Sequence, residues 1–246
     1  MINNKIRLDR VLLGGLILIL VFLLQIVLGK TGHFAANIIP YQGIDPYDSF
    51  AHISIHHITE MIIALLVVTV LSKIFKIDFY FQMGDKKKGK KAVFIFTGIF
   101  VFISVGMHIM LYFNNQLPVY EFPLDIRNIV GTVGFQLFLS GPAEEIIFRA
   151  LPISMLVFAF GRSIMIKRAV SVEVLISAVL FSLFHASWTL YPFSFQADYF
   201  QLFYAFTMGL IQGIVYQKTR SIIYPILIHS ISNVLMVSAG YIFSIL

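Results

Sequence analysis

Residues 11–29 read Val-Leu-Leu-Gly-Gly-Leu-Ile-Leu-Ile-Leu-Val-Phe-Leu-Leu-Gln-Ile-Val-Leu-Gly. No side chain in this stretch carries a charge, and about 20 apolar residues in a helix cross the hydrocarbon core of a bilayer. The apolar core of a secretory signal is shorter, about 7–15 residues, and precedes a small-x-small cleavage site. No clean site follows here, so the stretch is expected to be an uncleaved membrane anchor.

Moving outward, comparable apolar runs occupy residues 53–72, 92–113, 130–160, 169–188, 200–216 and 222–246. The run 130–160 is too long for one straight crossing, and Gly141-Pro142 within it predicts a helix start or kink. Composition agrees with a lipid solvent: 59% of the 246 residues are hydrophobic and 12% charged, against about 25% charged in soluble domains. The fold expected is all-α, a polytopic membrane helix bundle of about seven transmembrane helices. It forms a single membrane domain over residues 1–246. Cysteine is absent, which excludes disulfides and thiolate metal sites.

The net charge of +6 raises nucleic acid as a partner, but its placement argues for a membrane instead. Lys5, Arg7 and Arg10 precede the first run. Lys73, Lys76, Lys86, Lys87, Lys88, Lys90 and Lys91 separate the second and third. Arg162, Lys167 and Arg168 separate the fourth and fifth, and Lys218 and Arg220 the sixth and seventh. Fifteen of the 18 basic residues thus share one side of a seven-span chain. The opposite loops hold Lys30 and Arg127 beside Asp45, Asp48, Glu121, Asp125 and Asp198. Cytoplasmic loops collect Lys and Arg, so the N-terminus is expected in the cytoplasm. The partners implied are a lipid bilayer and a membrane peptide or protein, with no nucleic acid.

Charges inside the spans call for an explanation, since one ionised group at mid-bilayer costs roughly 2.5–3.5 kcal/mol on the lenient scale. The fourth run contains Gly141-Pro-Ala-Glu144-Glu145-Ile-Ile-Phe-Arg149. Glu145 and Arg149 are four apart and can pair on one helix face. Glu144 lies about 100° round the helix from its neighbour and is free to face a cavity. A buried ion-pair cluster is the competing reading, but one arginine does not neutralise two carboxylates. The surplus acid needs another partner. His185 in the fifth run, and His229 with Asn233 four residues on in the seventh, offer one. A single membrane histidine is ordinarily an interhelical hydrogen-bonding group. Two acids, two histidines, an asparagine and an arginine on three helices are enough for a hydrolytic site. His52, His56 and His57 lie with Glu60 at the outer end of the second run. His52 and His56 have metal-ligand spacing, but with no further ligand evident they read as interfacial histidines. His108 reads as a packing residue, and the lysines of 86–91 as a topology signal.

These residues resemble the motifs of the CPBP (Abi) family, which includes the type II CAAX prenyl endopeptidases and bacteriocin-processing proteins. The matching positions are Glu144-Glu145-x-x-x-Arg149, Phe181-x-x-x-His185 and His229-x-x-x-Asn233, with Phe206-x-x-Gly209 as a weaker feature. The likeness covers about 130–246, the motif-bearing core. It implies an intramembrane endopeptidase whose polar residues line a cavity. Glu144 and His185 would activate water, His229 and Asn233 would steady the oxyanion, and Glu145, Arg149 and Phe181 would orient the site. The family is commonly termed metalloprotease, so a catalytic zinc at Glu144, His185 and His229 is the alternative. None of the spacings is that of a His-Glu-x-x-His helix, and a metal-free, glutamate-led route is the expectation. Competing functions are a non-catalytic scaffold or bacteriocin-immunity protein, and a transporter. The expected substrate is a peptide pheromone, a bacteriocin leader or a signal-peptide remnant. The Lys-, Ile- and Phe-rich composition points to a low-GC bacterium and its cell membrane.

Overall fold

The computed structural model describes residues 7–167, 169–190 and 193–246; Lys5 and Arg168, counted above among the loop cations, lie outside the described residues. The first three helices are α1 (Leu8–Ile38), α2 (Ala51–Phe75) and α3 (Lys86–Phe113). A continuous helical run over 126–160, here α4, follows. After it come α5 (Val172–Leu183), α6 (Tyr199–Thr219) and α7 (Ile223–Ile245). Two short antiparallel hairpins flank α5: β1 (Met165–Lys167) with β2 (Val170–Ser171), and β3 (Ser187–Leu190) with β4 (Phe193–Gln196). Among the described residues, α1, α2, α3 and α7 are long and apolar enough to cross a membrane. The protein is therefore an integral membrane protein built of helices.

The outer faces of α1 to α3 carry large apolar side chains in the open, such as Leu12 and Leu16 on α1, Leu66 on α2, and Phe94 and Phe102 on α3, both more than 80% exposed. Water would make such a surface costly, whereas lipid tails accept it. By contrast α4 is enclosed: every residue from Ile146 to Ser154 is buried, as befits a helix packed on all sides. Leu28 of α1, Ala64 and Val68 of α2, and Val174 of α5 complete the core around Ile147, Leu151 and Ile153.

Loop contacts sort the ends of the bundle. Arg10 donates from Nη1 to the Ala159 carbonyl at 3.3 Å, joining the start of α1 to the end of α4. The α2–α3 connection pairs with the α6–α7 turn through Asp85 N to Thr219 O at 2.8 Å and Ile222 N to Tyr80 O at 2.9 Å. The starts of α1 and α3, the end of α4 and the α6–α7 turn, which carry most of the described loop cations, therefore gather at one end, while Arg127 lies at the other. At the other, the α1–α2 loop meets the start of α4 through Ser49 Oγ to Asn128 Oδ1, 3.1 Å. Asp45, fully buried there, accepts from the amides of Ser49, Phe50 and Ala51 at 2.7–3.0 Å and from the Ser49 hydroxyl. Burial alone would raise its pKa, but these four hydrogen bonds outweigh it and hold the carboxyl below the ordinary value. Asp45 thereby satisfies amides that open α2.

Two expectations change. Gly141-Pro142 does not start a separate helix but lies in the continuous run, directly after a π turn. α4 instead absorbs its two prolines with π-helical turns at Gln136–Ser140 and Ile146–Ala150, each just before a proline. Each wide turn takes up the hydrogen bond that the following proline cannot donate. The fifth run also shrinks, because Val172–Leu183 is only 12 residues, about 18 Å of helix, short of the ~30 Å hydrocarbon core. The Ser171 hydroxyl caps its start by accepting from Val174 N, and β3 takes over soon after its end.

Candidate active site

The π turns put the motif of α4 in place. Side chains from neighbouring helices reach two of its carbonyls. Gln25 of α1 donates from Nε2 to Ile147 O at 3.0 Å, and Ser177 of α5 donates from Oγ to Phe148 O. Gly141 lets α7 come close, since a Cβ there would lie 2.4 Å from Ser230 Oγ. Gly209 of α6 similarly sits against Ala178 of α5, where a Cβ would be 3.0 Å from its Cα. These contacts bring residues from α2, α4, α6, α7 and the end of α5 around a cavity of about 280 Å³. Its walls include Glu144, His185, His229, Asn233 and Phe181, five of the seven residues picked out by sequence, together with His57, Gln136, Ser140, Tyr204 and Gln212.

Glu144 is central. Oε1 is 3.2 Å from His57 Nε2 and accepts from Ser140 Oγ at 3.2 Å, while Oε2 lies 3.7 Å from His229 Nε2. Its side chain is 18% exposed, where that of Glu145 is fully buried. Glu145 and Arg149 stay behind the cavity wall. Glu145 Oε1 accepts from His229 Nδ1 at 2.7 Å, and its Oε2 is 3.2 Å from Arg149 Nε. The Arg149 contact is a charge attraction more than an aligned hydrogen bond, since neither atom has a hydrogen-bond partner in good geometry. Arg149 also donates from Nη2 to Gln212 Oε1 and lays its guanidinium 3.9 Å over the Phe181 ring. Phe181 in turn touches His185, with ring centroids 4.6 Å apart, and His229 at 6.1 Å. It is the platform on which the arginine and both motif histidines rest.

The three cavity histidines share one arrangement. His57 Nδ1 is 3.0 Å from Ile53 O, His185 Nδ1 is 2.8 Å from Phe181 O, and His229 Nδ1 is 2.7 Å from Glu145 Oε1. Each Nδ1 faces an acceptor, so the proton belongs there and Nε2 is the working atom. Two acceptors, His57 Nε2 and Glu144 Oε1, then face one another at 3.2 Å, and a shared proton must join them. The surplus acid thus finds its partner. Arg149 balances Glu145, and one proton held among Glu144, His57 and His229 balances Glu144.

Two positions depart from the sequence picture. His185 is not inside a span; it sits in the turn just past α5, where helix end and aromatic platform aim it together. Asn233 already uses its amide protons, donating from Nδ2 to Gln136 Oε1 at 2.8 Å and to Ser140 Oγ at 3.1 Å. It would have to exchange one of them to serve an oxyanion. His57, Ser140 and Gln212 are site residues that sequence reasoning missed. Gln212, an amide inside an apolar run, was a usable signal. His57 lay in a noticed cluster but was placed at the interface, whereas it and His56 are buried. His108 is a packing residue, bonded through Nδ1 to Ser104 O at 2.8 Å and stacked on Phe243.

A family-wide sequence pattern, that of the Rce1-like type II CAAX prenyl endopeptidases, matches residues 126–235. This span runs from the start of α4 to beyond Asn233. Over residues 126–235 the chain is thus similar to the CPBP family. The CPBP segment is just under half of the chain and holds every motif residue, while α1 to α3 lie outside it. The family is one of membrane-embedded proteases. Comparison with curated proteins and with solved structures gave no match.

The zinc alternative can be tested against the donors. Among the described residues, the metal-ligand side chains whose donor atoms all lie within 4.8 Å of one another are His56, His57 and Glu60. Glu144, His185 and His229 do not close into such a group as they stand.

Proposed function

We propose that this chain is an intramembrane endopeptidase that hydrolyses a peptide bond in a membrane-associated peptide or protein, using water activated by Glu144. The observation that carries the reading is the convergence on Glu144. A carboxylate at the edge of a cavity is flanked by His57 and His229, with His185 on the same wall, in a bundle that otherwise excludes water. A scaffold has no use for three imidazoles with Nε2 free to act there.

The chemistry follows from the proton inventory. The shared proton moves to His229 Nε2, and Glu144 takes one from a cavity water, which His185 Nε2 orients, and shares it with His57 Nε2. The resulting hydroxide adds to the scissile carbonyl carbon, and the carbonyl oxygen becomes an oxyanion. His229, doubly protonated between two carboxylates, donates from Nε2 to that oxygen, with the Asn233 amide as second donor. Collapse breaks the C–N bond, and the leaving amine takes the proton that Glu144 accepted. Glu145 fixes the His229 ring, Arg149 holds Glu145, and Phe181 supports the arginine and both histidines. The substrate class is a peptide pheromone, a bacteriocin leader or a signal-peptide remnant in a bacterial cell membrane. A cytoplasmic N-terminus, with α5 too short to cross the hydrocarbon core as a helix, belongs to the same reading.

The test is a peptidomic comparison of cells carrying wild type, Glu144→Gln, His185→Ala or His229→Ala at matched membrane levels. Product peptides present with wild type should vanish in all three variants, since loss of acid–base assistance costs about 10²–10⁴ in rate. Wild-type products from Glu144→Gln would overturn the assignment.

A further inference from the structure

We propose that His56, His57 and Glu60 on the first turns of α2 form a binding site for one divalent transition-metal ion of the zinc class. The inference does not depend on the peptidase reading, and its ligand set is a different one from the cavity residues considered above for zinc.

Geometry comes first. The three donor atoms lie within 4.8 Å of one another. His56 Nε2 and Glu60 Oε1 stand 3.2 Å apart. Two ligands each ~2.0–2.1 Å from one tetrahedral ion are about 3.3 Å apart, so this edge already has the required length. The helix supplies it: His56 and Glu60 are one turn apart on one face, and His57 reaches the same point from the adjacent position.

Burial and charge come second. His56, His57 and Glu60 are 7%, 8% and 9% exposed. His56 is the ion-pair partner found for the Glu60 carboxylate among the described residues, and an imidazole is neutral unless protonated. His56 Nδ1 is buried with no hydrogen-bond partner. A desolvated carboxylate between two imidazoles is a costly arrangement that a dication relieves. The donor set also decides the ion. Two imidazoles and one carboxylate suit zinc and its transition-metal neighbours and not calcium or magnesium, which prefer oxygen. Three protein donors leave a position open for water or a fourth ligand.

Third, α1 is shaped to this spot. A Cβ on Gly32 would lie 2.9 Å from His56 Nδ1 and 3.0 Å from Glu60 Cγ, and one on Gly29 would lie 3.6 Å from Glu60 Oε1. The missing side chains leave room for the polar ones opposite. His33 of α1 packs against His56 with the rings tilted by 58° and centroids 4.3 Å apart, so a further imidazole stands beside the set.

The site bears on Glu144 through His57. With Nδ1 held by Ile53 O, the Nε2 of His57 either shares a proton with Glu144 or binds the ion. An ion at α2 therefore frees the Glu144 carboxylate or draws it in as the fourth ligand.

The experiment uses the full chain in detergent, stripped with a chelator and titrated with Zn²⁺ by calorimetry and with Co²⁺ by visible absorption. One ion per chain is expected. Removing a group that merely supports a ligand costs about 10- to 100-fold in metal affinity, so His56→Ala and Glu60→Gln should each weaken binding by at least about 100-fold. The His185→Ala/His229→Ala double variant should bind as wild type does. That variant keeps the test decisive where His56→Ala fails to fold, because the ion must survive removal of both motif histidines. Loss of binding in the double variant, undiminished binding in a folded His56→Ala, or no stoichiometric binding by wild type would each overturn the site.

Discussion

Arg149→Met isolates the charge that holds the catalytic wall together. Methionine keeps an unbranched apolar stem over Phe181, so no large cavity opens, while the guanidinium is lost. Glu145, fully buried, then keeps His229 Nδ1 as its donor but loses the cation 3.2 Å away. Stranding one member of a buried pair costs about 3–5 kcal/mol. The retained imidazole donor and the imperfect alignment of the Arg149–Glu145 contact place the expected loss near the lower limit, about 3 kcal/mol. That is a large fraction of a typical folding stability of about 5–15 kcal/mol. Adding Glu145→Gln removes the stranded charge while leaving an acceptor for His229 Nδ1. The double variant should therefore recover most of the loss, with a coupling energy of about 2 kcal/mol, inside the 0.5–3 kcal/mol range of contacting residues. Unfolding free energies of wild type, both single variants and the double variant, measured in mixed micelles, give the cycle. A single Arg149→Met variant within about 0.5 kcal/mol of wild type, as a neutral surface change would be, or additive single effects, would refute the reasoning.

Other expectations are as definite. His57→Phe should keep protein levels but lower turnover by about 10², because Glu144 loses its proton partner; unchanged turnover would remove His57 from the site. Asp45 has a folded pKa below its ordinary value, so the stability it lends is present above the unfolded value and lost as pH falls through the folded one, below about pH 4. Asp45→Asn should cost about 1 kcal/mol at neutral pH and make the remaining stability less acid-sensitive, read from unfolding at pH 7 and pH 3. An acid limb identical to that of wild type would count against the hydrogen-bonded carboxylate. For topology, the absence of cysteine makes Lys87→Cys and Gln116→Cys, at opposite ends of α3, clean probes. An impermeant maleimide should reach position 116 from outside intact cells and position 87 only after lysis; labelling of both from one side would refute the proposed crossing.

What was legible in the sequence follows from range. The apolar run at 11–29 declares a membrane helix because span length is a local property, and α1 (Leu8–Ile38) occupies it. Glu145 with Arg149 was legible for the same reason, four residues being one helical turn. The limits of α5 were not. An apolar stretch of span length says nothing about where capping and hairpin pairing take over, and Ser171 starts the helix while β3 follows soon after its end. His185 consequently moved from inside the fifth run to the turn just past a helix end. The prolines of α4 misled in the opposite sense: the π turns that accommodate them leave no periodic trace in a segment where nearly every residue is apolar.

His57 marks the furthest limit. Its local context, His56-His57-x-x-Glu60, shows a polar cluster but not which side of α2 meets another helix, because both faces are mostly apolar and lipid and protein accept the same side chains. The contact with Glu144 joins residues 87 positions apart, set by how α2 lies against α4, which no spacing within either helix encodes. The two faces are resolved by small residues at one remove. Gly29 and Gly32 admit His56 and Glu60 toward α1, and with that side fixed the next residue round the helix, about 100° on, turns toward α4. His57 reaches the acid because its neighbour is seated on α1. Filling Gly32 should therefore disturb the Glu144–His57 pair, although residue 32 touches neither member of it.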